Sequence, residues 1–109
     1  MIACVAVAGD GLVDPRWGRA DKMAVAEVEE GAIASWEEYE VHWGMLHDQG
    51  SERRHHARVA QFIRQHHVEV VLARHIGGGM QNVLDTMGVK VRLGIEGDAR
   101  RAVEALAAG

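Results

Sequence analysis

Hydrophobic residues along the chain follow two spacings, and each spacing predicts a different kind of element. Three early segments are short apolar runs or alternate apolar and polar residues, which is typical of β-strands. Two later β-branched runs are each followed by hydrophobic positions spaced i, i+3, i+4 and i+7, which predicts a strand and then a helix. The predicted strands cover residues 2–8, 22–30, 32–41, 68–73 and 89–94.

Three helices are predicted from their hydrophobic stripes and their end residues. Ser51 is a suitable N-cap for the first helix, and Glu52 places a negative charge in its first turn. Gly88 ends the second helix, and Asp98 caps the third. Residues 42–50 have no clear period, so they are predicted as a loop that we expect to be mobile.

The order of these elements, β-β-β-α-β-α-β-α, predicts a single α/β domain over residues 1–109. The short connections among the first three strands indicate antiparallel pairing. The βαβα order of the second half implies parallel pairing with right-handed crossovers. The first strand is short and wholly apolar, so we expect it to lie at the centre of a mixed five-stranded sheet.

Composition restricts the classes of function that this chain can have. Its formal net charge of −4 argues against general nucleic-acid binding, which requires many lysine and arginine contacts to phosphates. No apolar run approaches the length of a membrane helix, and the first residues lack the positive region of a signal peptide. The single Cys4 cannot form an internal disulfide, and a cytoplasmic location is therefore expected.

Polar residues and glycines follow two strands that are predicted to be neighbours in the sheet. Open α/β sheets bind ligands beyond the carboxyl ends of such strands. A glycine turn that leads into a helix exposes backbone N–H groups to an anion. A tight turn without any ligand remains the alternative. The candidate cleft residues are Asp10, Arg74, His75, Gly77, Gly78 and Gly79.

Seven histidines form a second group of candidates, because neutral imidazole is a common metal ligand. Their spacing matches neither a zinc finger nor an H-E-x-x-H helix, which argues against a closed zinc site. A looser metal or cluster site built from His75, His47 and His42 stays open. His55 and His56 are interpreted as packing residues on the first helix.

The segment DPRWGRA, residues 14–20, forms a third feature. Arg16 and Arg19 bracket Trp17 in a glycine-containing loop after the first strand. Both cations can reach the predicted cleft. The alternative is that Trp17 packs on the edge of the sheet while both arginines are solvated.

Taken together, the runs IACVAVAGDG, DPRWGRA, HIGGGMQNVLDTMGVKVRLG and GDARRAVEALAAG resemble the dinitrogenase iron–molybdenum cofactor biosynthesis family over nearly the whole chain. This family includes NifX, the C-terminal part of NifB, the NafY core and many small stand-alone proteins. Its members have a loop of the type S-P-H-F-G-R-A and a turn resembling G-I-G-P-x-A. In this chain Arg16 stands at the loop histidine, Trp17 at the aromatic and Gly78 at the proline of the turn.

The resemblance implies a ribonuclease H-like fold with sheet order 3-2-1-4-5 and three flanking helices. It also implies a non-catalytic protein that binds or carries an iron–sulfur or iron–molybdenum cofactor, or its precursor, during nitrogenase-type cofactor assembly. Nitrogenase assembly proteins would be its partners, and a monomer or weak homodimer is expected. These clusters are anionic, so Arg16, Arg19 and the glycine backbone would suit one, with His75 or His47 replacing the family's loop histidine.

Two other functions are weighed against the carrier. The same fold can serve as a small-anion or nucleotide binding or protein-interaction module without a metal cluster. A metal-dependent nuclease is less favoured, because two-metal chemistry requires several converging carboxylates. The first strand carries none, and the strand at residues 68–73 carries only Glu69.

Overall fold

A computed structural model describes residues 1–47 and 51–108, the side chain of His47 excepted. Its centre is a five-stranded sheet of order β3-β2-β1-β4-β5. Strand β1 pairs antiparallel with β2 and parallel with β4, so the predicted mixed sheet of order 3-2-1-4-5 is confirmed. The strands are β1 (Ile2–Ala6), β2 (Lys22–Glu29), β3 (Ala32–Glu40), β4 (Val70–Leu72) and β5 (Lys90–Arg92).

The three predicted helices are present with the predicted end residues. The Ser51 hydroxyl accepts a hydrogen bond from the Arg54 N–H at 3.1 Å, and the Asp98 carboxylate accepts one from the Arg101 N–H at 2.9 Å. Gly88 follows its helix with a φ of +76°, a conformation that favours glycine. In the described residues, no helix combines the length and apolarity needed to cross a membrane. The helices are α1 (Trp43–His47), α2 (Glu52–Gln65), α3 (Gly78–Thr86) and α4 (Ala99–Ala108), with a 3₁₀ turn at Trp17–Arg19.

The prediction of a loop over residues 42–50 is wrong for residues 43–47, which form helix α1. A five-residue helix is too short to show a hydrophobic period, and its stability comes from tertiary packing. Trp43 is 2% exposed, and its ring lies 5.6 Å from that of Trp17 and 5.4 Å from that of Phe62. Residues 48–50 lie outside the described part of the chain, so the expectation of mobility there stays a prediction.

Both faces of the sheet are covered, which explains the unbroken apolar sequence of β1. Cys4 and Ala6 point into a core shared with α2 and α3, whereas Ala3 and Val5 point into a core shared with α4. All four residues are fully buried. Trp17, Trp43 and Phe62 lie on the α2 and α3 side, where they support the loop that follows β1, whereas Trp36 packs on the α4 side.

Candidate functional site

A cavity of about 410 Å³ opens beyond the carboxyl ends of β1 and β4. Three segments form its wall: the loop and 3₁₀ turn after β1, the first turn of α2, and the glycine turn that leads into α3. This is the position at which the strand order of the sheet reverses, where α/β folds bind ligands. The lining residues are Pro15, Arg16, Trp17, Gly18, Arg19, Glu52, His55, His56, His75, Ile76, Gly77, Gly78, Gly79 and Met80.

Helix α3 presents an open N-terminus to this cavity. Gly77 is its N-cap and supplies no side-chain hydrogen bond, so the first backbone N–H groups have no partner from a cap. A Cβ added to Gly77 or Gly78 would meet no atom within 4 Å, which shows free space in front of the helix. The helix dipole adds partial positive charge at the same place. The glycine turn therefore provides the geometry of an anion cradle.

The charges around the cavity differ in sign from the charge of the whole chain. Arg16 and Arg19 lie in the lining, and Glu52 is the one carboxylate among the described lining residues. The chain as a whole carries a formal net charge of −4. The cavity is therefore a local cationic site on an acidic protein, which favours an anionic ligand.

A buried carboxylate shapes residues 14–20, the segment that carries Arg16 and Arg19 and is called the arginine loop below. Asp14 is 4% exposed, and its Oδ1 accepts hydrogen bonds from the Arg16 backbone N–H at 2.9 Å and from the Arg16 Nε–H at 3.4 Å. The Arg16 side chain nevertheless remains 68% exposed. An aspartate two residues before a loop cation commonly binds the backbone in this way.

Trp17 forms the base of the cavity. It is 1% exposed and packs against Trp43, so it belongs to the core and is not a lid on the edge of the sheet. Its indole N–H is buried and has no hydrogen-bond partner among the described residues. Gly44 brings α1 close to this loop, because a Cβ at that position would lie 2.7 Å from the carbonyl oxygen of Arg19.

His55 ties the arginine loop to helix α2. Its Nε2 lies 2.7 Å from the carbonyl oxygen of Gly18, and its Nδ1 lies 3.0 Å from Nη1 of Arg58. A carbonyl can only accept and a guanidinium can only donate, so the pair of contacts requires a neutral ring with the proton on Nε2. Both ring nitrogens are engaged, and His55 therefore acts as a structural residue in this arrangement.

His56, the next residue, turns toward the cavity. Its side chain is 21% exposed, and its Nε2 lies 3.7 Å from the Glu52 carboxylate one turn earlier on α2. A Cβ on Gly79 would lie 2.9 Å from Cε1 of the ring, so the ring fits only because residue 79 has no side chain. The interpretation of His56 as only a packing residue is therefore incomplete, because its ring lines the cavity. Hydrophobic periodicity does not show which of two adjacent histidines faces a cavity.

The predicted site residues separate into two groups. Arg16, Arg19, His75, Gly77, Gly78 and Gly79 all line the cavity. Asp10 and Arg74 are not among the lining residues and make other contacts. The Asp10 carboxylate accepts a hydrogen bond from the Leu12 N–H at 3.1 Å, and the Arg74 Nε lies 3.2 Å from the Glu96 Oε1. Leu12, which donates this bond to Asp10, also forms an isolated β-bridge with Asp98, just before α4. Position at a strand end therefore did not decide which way a side chain points.

The three histidines predicted as metal ligands are not brought together as a complete set. His75 lines the cavity. His42 is not among the lining residues, and its Nε2 lies 4.0 Å from the Glu40 Oε2 at the end of β3. The side chain of His47 lies outside the described part of the structure, so its role stays a prediction. Across the described residues, no group of three or more histidine, cysteine, aspartate or glutamate side chains is placed to hold a metal ion.

Cys4 is not available to the cavity. Its side chain is fully buried in β1, and this burial raises the pKa of the thiol far above its usual value. The neutral thiol is neither a nucleophile nor a good metal ligand. The polar groups that the described lining offers are imidazole nitrogens, backbone N–H groups, guanidinium groups and the Glu52 carboxylate.

Solved structures of three other proteins resemble this fold. The structure of PH0822 superposes with a TM-score of 0.80 at 20% identity, covering 98% of this chain and 90% of that one. The apo form of the orange protein from Desulfovibrio gigas gives 0.73 at 26% identity, with 96% and 85% covered. A putative NifB protein from Thermotoga gives 0.73 at 22% identity, with 99% and 88% covered.

The first and third of these similarities, at 20% and 22% identity, establish a shared fold alone. A search of curated proteins finds no match. A family model described as "Dinitrogenase iron-molybdenum cofactor" matches residues 1–109. The match covers the β1 strand, the arginine loop, the glycine turn and α4, the same segments that carry the resemblance in the sequence. The chain therefore belongs to the dinitrogenase iron–molybdenum cofactor family.

Proposed function

We propose that this protein binds and carries an anionic iron–sulfur or iron–molybdenum cofactor, or its precursor, in nitrogenase-type cofactor assembly. The observation that carries the proposal is the composition of the cavity wall, which joins two arginines, an open helix N-terminus and imidazole side chains, with Glu52 the one carboxylate among its described residues. Family membership supports the nature of the cargo. Other assembly proteins would deliver and accept it.

Each part of the wall has a distinct task in this proposal. Arg16 and Arg19 neutralise the negative charge of the cluster and donate charge-assisted hydrogen bonds to its sulfur or carboxylate atoms. Gly77, Gly78 and Gly79 have no side chains and allow the cluster to approach the backbone N–H groups of α3. His75 supplies an imidazole nitrogen to a metal at the edge of the cluster. Together these contacts hold an intact cluster and leave its bonds unchanged.

The chemistry of the wall favours a carrier over an enzyme. A two-metal nuclease requires several carboxylates around its ions, and Glu52 is the one that the described lining supplies. A nucleophilic hydrolase requires an activated hydroxyl or thiol, whereas the Cys4 thiol is buried and protonated. The remaining groups are cations and imidazoles, which bind and orient an anion.

The proposal is tested by cofactor transfer under anaerobic conditions. Purified, tag-free protein is mixed with isolated iron–molybdenum cofactor, separated by gel filtration, and the protein peak is analysed for iron and molybdenum. We expect stoichiometric metal with the wild type and a loss of at least about tenfold in affinity when Arg16 and Arg19 are both changed to Ala, because two charge-assisted contacts are removed. His75→Ala and His47→Ala, tested alongside, identify the ligand.

A matched control removes two arginines elsewhere. Arg92 and Arg101 are exposed on β5 and α4 and lie outside the cavity lining, so their double change to Ala is expected to leave cofactor binding unchanged. Absence of metal from the wild-type peak would contradict the carrier function. Tight binding of inorganic phosphate or a nucleotide in that case would instead support the small-anion module, which the same open helix end can serve.

A further inference from the structure

We infer that His56 is the α2 imidazole that coordinates the cargo and that Gly79 provides the space for its ring. This inference rests on the proposed function and assigns a ligand within the same site. It does not follow from the family's loop histidine, which is Arg16 here.

The contacts of the two adjacent histidines separate their roles. His55 is 4% exposed and has both ring nitrogens within hydrogen-bond distance of other groups, Gly18 on one side and Arg58 on the other. Neighbouring residues on a helix point about 100° apart. His56 therefore faces a different direction, and its ring lines both the cavity and an adjoining groove between α2 and α3.

The ring of His56 has close neighbours on two sides. On one side it lies against Gly79, at the first turn of α3, where a side chain would collide with it. On the other side the Glu52 carboxylate lies 3.7 Å from Nε2, which is longer than a hydrogen bond. A carboxylate that hydrogen-bonds one ring nitrogen orients a metal-binding histidine and leaves the other nitrogen for the metal. A small movement of Glu52 would make this contact and leave Nδ1 for the cargo, beside the helix N–H groups that would meet an anion.

The donors around His56 suit the cluster named in the proposed function. A bare transition-metal ion is usually held by at least three protein side chains. In the described part of the chain, no group of three or more candidate ligands is placed to do this. A preassembled iron–sulfur cluster brings its own bridging sulfides, so one or two imidazoles complete its coordination. Cationic side chains and backbone N–H groups then bind the rest of its charge.

Three probes distinguish coordination by His56 from attraction by charge. Isolated iron–molybdenum cofactor has a metal that can accept an imidazole, tetrathiomolybdate is an anion whose metal already has four sulfurs, and Fe²⁺ is a bare cation. We expect His56→Ala to weaken cofactor binding at least about tenfold. We expect the same variant to bind tetrathiomolybdate within about twofold of the wild type, and the wild type not to retain Fe²⁺ on gel filtration.

His67→Asn is the matched control, because His67 is exposed beyond the other end of α2 and asparagine tolerates its φ of +55°. If His56→Ala binds the cofactor as tightly as the wild type and the control, the inference is overturned while the carrier function stands. If the wild type itself retains no cofactor, the proposed carrier function is contradicted, whatever His56→Ala does. Stoichiometric Fe²⁺ in the wild-type peak would contradict the cluster cargo of the proposed function.

A second variant tests the same contact without altering the imidazole. Gly79→Ala places a methyl group 2.9 Å from the ring, so we expect it to displace His56 and to weaken cofactor binding in the same direction. Gly9→Ala is its control, since a Cβ there meets nothing within 4 Å and lies outside the cavity.

Nitrogen-15 NMR of the histidine rings gives an independent readout. Added cofactor must shift the His56 resonances of the wild type, and an unshifted ring would overturn the assignment.

Discussion

The Nε2 of His55 lies 2.7 Å from the carbonyl oxygen of Gly18, although the two residues are 37 positions apart in the chain. This contact joins helix α2 to the 3₁₀ turn that carries Arg19. On its other side the His55 ring meets Arg58, whose Nη1 also donates to the Leu46 carbonyl at 3.3 Å. One buried imidazole and one guanidinium therefore hold three segments of the chain together behind the cavity.

Changing His55 to Ala is expected to reduce the free energy of unfolding by about 2–4 kcal/mol, because it removes a buried side chain and leaves the Gly18 carbonyl without its partner. Urea denaturation measures the change. His67→Asn, at an exposed position, is expected to differ from the wild type by less than about 0.5 kcal/mol. A His55→Ala variant as stable as this control would show that the contact does not hold the loop.

Changing Gly44 to Ala tests the close approach of α1 to the arginine loop. By helix propensity alone, alanine should stabilise α1 by up to about 1 kcal/mol. The added Cβ would however lie 2.7 Å from the Arg19 carbonyl oxygen, a backbone atom that cannot move without shifting the turn. We therefore expect a net loss of about 1–2 kcal/mol, measured by thermal unfolding.

The control for that change is Gly18→Ala, whose Cβ would meet His55 at an ordinary contact distance of 3.9 Å. Its stability should remain within about 1 kcal/mol of the wild type. A stabilised Gly44→Ala variant would contradict the close packing of α1 against the loop.

Burial of Cys4 predicts a dependence of stability on alkaline pH. Because its pKa is raised in the folded state, the folded chain keeps the thiol proton while the unfolded chain loses it above about pH 8.5. The stabilisation is fully present below that pH and is lost as pH rises toward the raised pKa, by up to about 1.4 kcal/mol per pH unit. Urea unfolding at several pH values measures it.

Cys4→Ala is the comparison, and the pH-dependent part of the difference between the two proteins should vanish below about pH 8. The native thiol should also resist alkylation by iodoacetamide at pH 8 and react once the chain is unfolded, because only the thiolate is nucleophilic. Rapid alkylation of the folded protein would show that Cys4 is accessible and reopen it as a ligand.

Much of this fold could be predicted from the sequence because its longer elements have clear periods. The mixed sheet with β1 at its centre followed from the order of strands and helices, and the caps at Ser51 and Asp98 followed from local chemistry. Helix α1 was missed because five residues are too few to show a period, and because its stability depends on the distant contact between Trp43 and Trp17.

The site was predictable in part for a related reason. Topology brings the arginine loop and the glycine turn to one place, and both lie in the cavity wall. The direction of a single side chain depends on its partners, which are distant in sequence. Arg74 turns to Glu96 and His56 turns to Gly79, and neither preference can be read from the pattern around those residues.

Gly78→Asp places a negative charge at the open N-terminus of α3, where we propose that an anion binds. A Cβ at Gly78 meets no atom within 4 Å, so the aspartate fits without strain. Its charge favours the helix dipole and should raise the free energy of unfolding by about 0.3–1 kcal/mol. The same charge should repel an anionic cluster from the cradle.

We would measure the affinity for iron–molybdenum cofactor and the free energy of unfolding, both for Gly78→Asp and for the uncharged Gly78→Asn. We expect Gly78→Asp to be at least as stable as the wild type but to bind isolated iron–molybdenum cofactor at least about 100-fold more weakly. We expect Gly78→Asn to bind the cofactor at least about tenfold more tightly than Gly78→Asp. Equal affinity of Gly78→Asp and the wild type would contradict the anion cradle.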